Sequence, residues 1–316
     1  MARRPARCLR PVFSQLSYKA TREWKEEIVF FDPTLPRPAT VLRFPDGSPA
    51  TLAPDADPRD AFAEWLLRPD NPAFARALAN RLWAWLLGRG IVQPVDDFRP
   101  DNPPANAALL DHLAATLVAS HYDLRALLRE ILTSQTYQRS SLAPTDDPCA
   151  EAHFAFYAPR RLDAEVLIDA LNQITGTHES YTSAIPEPFT FIPAEQRAIA
   201  LPDGSITSGF LEKFGRPARD TGEAAERTST VTAAQRLHLL NSTHVQRKLE
   251  QGPALAALLR RPQPVDELFL TFLARPPTAA ERAVVTAHLR ASKPPRRAAL
   301  DVAWALVNSA EFLHQH

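Results

Sequence analysis

Apolar residues return at helical spacing along most of this 316-residue chain, and the clearest run lies between residues 71 and 87. Asn71 has an N-cap side chain, Pro72 sits where a missing N–H costs nothing, and Gly88 or Gly90 offers a left-handed stop. Between these signals Phe74, Leu78, Leu82, Trp85 and Leu86 predict one apolar face, with Ala77, Arg81 and Ala84 on a smaller second one. The helix is therefore expected to be buried on most sides. The same pattern predicts a helix from Asp57-Pro58 to Leu67 and one over 105–119, with Leu109, Leu110, Leu113, Leu117 and Val118 as its apolar set. Asp123 caps the next, with Leu124, Leu127, Leu128, Ile131 and Leu132 inward. Further helices are predicted from about Leu162 to Thr175 with Gly176 as its stop, over Ala233 to Leu249, and over about 253–260, 264–274 and 278–291. A last one runs from Arg296 to Leu313, with Trp304 and Leu306 inward.

The period breaks near the N-terminus. Ile28–Phe31 and Thr40–Phe44 have strand composition and Asp46-Gly47 is a turn signal, so a small β-ribbon packed on the helices is expected there. The expected fold is mainly α: a multi-helix bundle-like domain with this N-terminal β-ribbon and long ordered proline-rich loops. It divides into an extended segment 1–57, a first helical lobe 58–140 and a second helical lobe 141–316, packed on the first as one domain. Residues 177–207 have weak periodicity, and so long an irregular segment is more often functional or ordered by packing than idle.

Composition acts mainly by exclusion. The 36 basic and 36 acidic residues cancel, with a pI near 7.1, which argues against a nucleic acid or an anionic membrane as partner. No apolar stretch is long enough for a membrane span, and the basic opening MARRPARCLRPVF lacks the apolar run of a secretion signal. Cys8 and Cys149 have no paired spacing for zinc, redox chemistry or haem attachment, so no cofactor is expected. Thirty prolines against nine glycines suit helices joined by stiff loops.

Chemistry concentrates in three places. Asp96, Asp97, Asp101 and Asn102 form an oxygen-rich loop of the kind a hard cation needs, but without the turn glycine and closing glutamate of a calcium loop. Pairing of Asp96 or Asp97 with an arginine, with backbone N–H groups donating to the same acid, is the favoured reading. Arg160 and Arg161 precede a helix start, and Glu165 stands four residues after Arg161, within reach for a pair along the helix. Free N–H groups at that start beside a guanidinium would also suit a carboxylate or sulfate. Phe214-Gly215-Arg216-Pro217 with Arg219, then Glu226-Arg227, is the second arginine concentration. Glu226 as a general acid with Asp97 as its partner would suit a glycosidase, although neighbouring arginines lower a carboxylate's pKa and oppose the acid role. His238 and His244, six residues apart, do not share a helical face as a zinc pair would.

NPAFARALANRLWAWLLGRGIVQPVDDFRPDNPP, SQTYQRSS, APRRLDAEVLIDALNQITG, LPDG, FLEKFGRPARD, ER and WALVNSAEFL occur in a distinctive order. In that combination the chain resembles, over about residues 25–316, the PSD1-type C-terminal domain of unknown function of large secreted planctomycete-type proteins. The resemblance implies an exported or periplasmic setting and the company of another uncharacterised domain, often with a c-type cytochrome or a carbohydrate-binding module. This chain carries no Cys-x-x-Cys-His, and Glu223, Ala224 and Ala225 stand where many relatives have Cys-x-Cys. The family has no established catalytic residues to carry over.

Three readings follow. A non-catalytic scaffold or interaction module, partnered by protein domains of the same system, requires Arg81, Arg99, Arg161, Arg216 and Arg227 to be buried and paired. A polysaccharide-binding or polysaccharide-processing domain requires arginines and carboxylates to converge on an open cleft walled by residues 177–207, with Tyr181 or Phe189 as its aromatic. A hydrolase requires Asp97 and Glu226 close together, one of them buried and unpaired.

Overall fold

The computed structural model describes residues 9–20, 27–38, 41–53, 56–183, 191–202, 204–217, 226–228, 230–262, 264–291 and 294–315. The architecture is mainly α, and the chain divides into two units, Met1–Gln138 and Arg139–His316.

In the first unit the sequence pattern predicts one β-ribbon and the structure has two. β1 (Leu16–Ala20) pairs antiparallel with β2 (Glu27–Phe31), and β3 (Val41–Arg43) pairs with β4 (Pro49–Thr51) across the Asp46-Gly47 turn. Each strand takes its partner from nearby chain, and segments as short as Pro49–Thr51 carry too few residues to show alternation. Thr40 lies outside the described residues. Val12, Leu42 and Leu52 close a small core against Ala61 and Phe62 of α1 (Pro58–Leu67), and Phe44 stacks on Trp65 at 5.0 Å between centroids.

α2 (Pro72–Leu87) starts and stops where its signals place it. Asn71 Oδ1 accepts from the Ala73 N–H at 3.0 Å, and Gly88 adopts φ 79°. Its buried stripe is different from the predicted one. Ala75, Ala79, Asn80, Trp83 and Leu87 face inward, while Trp85 is 60% exposed and Phe74, Leu78, Leu82 and Leu86 are only partly covered. α3 (Ala107–Ala119) packs along this helix and buries Leu110, Leu113 and Leu117. α4 (Leu124–Leu132) buries Leu127 and Ile131 but leaves Leu124 and Leu132 exposed at its ends, again contrary to expectation.

The second unit is built around α5 (Ala164–Thr175), which buries Leu167, Ile168, Leu171 and Thr175 and, among them, the carboxylate of Glu165. α6 (Gly209–Lys213) packs on this helix. The predicted helix over 233–249 is two helices, α7 (Ala233–Asn241) and α8 (Thr243–Gln251). Ser242 breaks it by leaving the helical region and capping the Val245 N–H with its hydroxyl. α9 (Pro253–Leu258), α10 (Pro264–Leu273), α11 (Ala279–Ala291) and α12 (Pro295–Val307) follow. The last predicted helix also divides, because Ser309 caps a separate α13 (Ala310–Leu313). Leu306 is buried as expected, but Trp304 is 40% exposed. β5 (Arg160–Arg161) pairs antiparallel with β6 (His314–Gln315), which returns residues 314–315 to the entrance of α5. No helix among the described residues is long and apolar enough to cross a membrane.

Candidate functional site

The first turn of α5 gathers the second arginine concentration. Glu165 has 1% of its side chain exposed, and Arg227 grips it with two N–H donors, Nη1 to Oε2 at 2.8 Å and Nη2 to Oε1 at 3.0 Å. Arg216, whose side chain is 2% exposed, brings Nε to 3.7 Å from Oε1 and donates through Nη1 to the Ile206 carbonyl. Burial alone would raise the Glu165 pKa, but the Arg227 hydrogen bonds and the charges of Arg227 and Arg216 outweigh it and hold the carboxyl below its usual range. Gly215 shapes the approach: it sits at φ 86° against the Thr228 carbonyl, where a Cβ would collide.

Arg161 does not pair with Glu165. Its guanidinium donates to Gln235 Oε1 at 2.6 Å and to the carbonyls of Thr230 and Phe214, and it lies over the Phe214 ring at 5.3 Å. Four residues along a helix is a surface relation, whereas β5 holds Arg161 outside α5 and turns it toward α7. Gln235 links both sides, donating to the Lys213 carbonyl at 2.8 Å while completing a capping box with Thr232. Arg160 is occupied by Gln315 Oε1 at 2.7 and 3.0 Å. The space among Arg161, Leu162, Asp163, Phe214, Arg227 and Thr228 is about 10 Å³, near the minimum for a single water. Arg219 and Phe189 lie outside the described residues.

In the first unit Arg81 pairs with Asp96 at 2.6 Å and Arg99 with Asp97 at 2.7 Å, but both arginines are exposed, which corrects the expectation that they are buried. Asp97 is held below its ordinary pKa by the Arg99 hydrogen bonds, so it is ionised rather than poised as an acid. Asn102 Nδ2 donates to the Asp97 carbonyl at 2.8 Å, and Asp101 stands 3.9 Å from Arg99. Hydrogen bonding, rather than ligand geometry, shapes this loop. No group of three His, Cys, Asp or Glu among the described residues could hold a metal ion. Glu226, partly buried beside Arg227, belongs to the second unit and Asp97 to the first.

The histidines do meet, because the break at Ser242 turns α8 away from α7. His238 Nε2 and His244 Nδ1 are 3.3 Å apart, and His244 Nε2 lies 2.9 Å from Glu179 Oε2. Lys248 adds its ammonium at 3.2 Å from the same oxygen and donates to Asn172 Oδ1 at 2.7 Å and the His178 carbonyl at 2.9 Å. Burial, then the charges of Lys213 and His244, push His238 down to about 4. For Glu179 the His244 and Lys248 contacts overcome burial and lower the pKa. Nearby, Asp169 accepts from the Ala198 and Ile199 N–H groups at 2.8 and 3.1 Å. Thus residues 177–179 and 198–199 are fastened to α5 and α8 by buried polar groups.

A family model described as "PSD1: Protein of unknown function (DUF1553)" matches residues 58–289. The chain belongs to the PSD1 family. The PSD1 match takes in both charged clusters and the paired histidines, and leaves out both β-ribbons. No curated protein and no solved structure matches the chain.

Several residues that organise this PSD1 chain escape sequence reasoning. Asn80, fully buried in α2, accepts from the Val92 N–H at 2.9 Å and donates to the Val92 and Val95 carbonyls at 3.0 and 2.8 Å. A polar residue inside an apolar helix was the available signal. Gln235 was legible as the fourth residue of Thr-x-x-Gln. Glu179 and Lys248 carry no local signal at all.

Proposed function

We propose that this PSD1 chain is a non-catalytic scaffold or interaction module working with protein domains of the same system, and that Arg161, Arg216 and Arg227 are its internal braces. The observation that carries this reading is Glu165, a fully buried carboxylate gripped by two N–H donors of Arg227, with only about 10 Å³ of free space among Arg161, Phe214 and Arg227. A guanidinium that recognises a sulfate or carboxylate must offer its donors to solvent, and here they are turned on a carboxylate and on backbone carbonyls. That closed packing favours bracing over the alternative of a polysaccharide site in an arginine/carboxylate cleft. The ionised Asp97 weighs against the acid-pair hydrolase as well.

The test compares Arg216→Ala, Arg227→Ala and Arg99→Ala with the parent chain on an array of sulfated and uronic-acid polymers, with urea unfolding of each. The expected outcome is no arginine-dependent binding, a lowered urea midpoint for Arg216→Ala and Arg227→Ala, and an unchanged one for Arg99→Ala. Polymer binding that disappears in Arg216→Ala or Arg227→Ala at an unchanged midpoint would overturn the reading.

A further inference from the structure

α8 and α12 pack side by side and leave between them an open groove of about 720 Å³, within the usual size range of small-ligand sites. Its aromatic wall is Trp304. The indole Nε1–H donates to the Leu240 carbonyl at 3.1 Å, which fixes the ring's orientation, while 40% of the residue stays exposed. A large aromatic side chain oriented by one hydrogen bond, lining a groove and left partly exposed, suits a stacking platform better than a piece of core. This is the position at which the helical pattern expected an inward residue.

Polar groups line the rest of the groove. α8 supplies Glu250 and Gln251, and α12 supplies Arg296, Arg297 and Asp301. Among the described residues, the side chains of Arg297 and Gln251 make no hydrogen bond or ion pair. Glu250 accepts from Gln246 at 2.9 Å through Oε1 alone, and Asp301 meets His288 at 3.5 Å through Oδ2 alone, so each carboxylate keeps a second oxygen for another donor. Two guanidiniums and two carboxylates give the groove no net charge. An anion entering it would meet Glu250 and Asp301, and an apolar helix laid into it would bury Arg297 and Gln251 without partners. A neutral, polyhydroxylated ring satisfies both constraints: its C–H face stacks on the indole, and its neighbouring hydroxyls bond to planar two-pronged side chains such as guanidinium, amide and carboxylate.

We infer that the groove between α8 and α12 binds a neutral oligosaccharide, with Trp304 as the platform and Glu250, Gln251, Arg297 and Asp301 as hydroxyl partners. The site shares no side chain with the arginine braces and does not depend on them.

The experiment is isothermal titration calorimetry of the full chain with cellohexaose, mannohexaose and xylohexaose, with dextran sulfate and polygalacturonate as charged comparisons and sedimentation velocity alongside. One of the neutral hexaoses is expected to bind. Trp304→Ala is expected to weaken that binding by about tenfold or more, with Trp304→Phe retaining part of it. Arg297→Ala, an exposed side chain whose loss leaves the thermal midpoint unchanged, is expected to weaken it severalfold. The inference is overturned if none of the three hexaoses binds, if both Trp304→Ala and Arg297→Ala bind like the parent, or if the charged polymers bind better. Concentration-dependent dimers that Trp304→Ala abolishes would overturn it too, by assigning the groove to a second copy of the chain.

Discussion

Glu165 is tolerated in the interior because Arg227 and Arg216 compensate its charge, and removing one member strands the other. Glu165→Gln and Arg227→Ala are each expected to cost about 3 kcal/mol in urea unfolding, and Arg99→Ala, on an exposed pair, is expected to leave the urea midpoint unchanged. Acid should act through the same groups. Glu165 and Glu179 have folded pKa values below their unfolded ones, so the stability they contribute is complete above the ordinary carboxylate range and disappears as pH falls through the lowered values. His238 acts earlier: between its ordinary 6.5 and about 4 the unfolded chain takes up a proton that the folded chain refuses, so stability falls as pH falls through that window. Urea midpoints at pH 7, 6 and 5 should decline, and His238→Gln should flatten the decline. The sequence made the charged residues conspicuous without revealing their partners. Glu165 invites pairing with Arg161 four residues away, but its bidentate partner is 62 residues distant, where only the packing of the second unit brings Arg227 to it.

At the level of elements, end signals were readable, and facing was readable for Leu113, Leu127 and Leu306 but not for α2. Asn71, Asp123, Gly88 and Gly176 mark termini because a cap is satisfied within a few residues. Which stripe of α2 turns inward depends on a neighbouring helix, and the apolar residues surround it too evenly to choose. Ser242 and Ser309 broke two predicted helices for a related reason: serine is a modest interior residue until tertiary packing rewards a cap. Asn80→Ala should therefore act on an element as a whole, releasing the loop after α2 from the helix and leaving the buried Val92 N–H and carbonyl without their partner. A loss of about 2–3 kcal/mol is expected, with faster amide exchange concentrated in residues 90–95. Gly215→Ala combines a left-handed backbone with a collision at Thr228, and about 1–3 kcal/mol should be lost with loosening of residues 226–228.

For the whole molecule, the division after Gln138 falls beside a segment rich in serine, proline and aspartate, in which Leu142 is 79% exposed. Chymotrypsin at low concentration is expected to cut there first and to leave two protected fragments, which mass spectrometry of the early products would show. The β5–β6 pair adds a matter of timing. Arg160 and Gln315 are 155 residues apart, and at about 5–20 residues per second a ribosome separates their emergence by roughly 8–30 s. For most of that interval Leu167, Ile168 and Leu171 are synthesised but still lack Val302, Leu306, Val307 and Phe312, which share their core. A nascent chain arrested before residue 313 thus presents sticky, half-built surface, and a holdase that reads exposed leucine and isoleucine should be found on it.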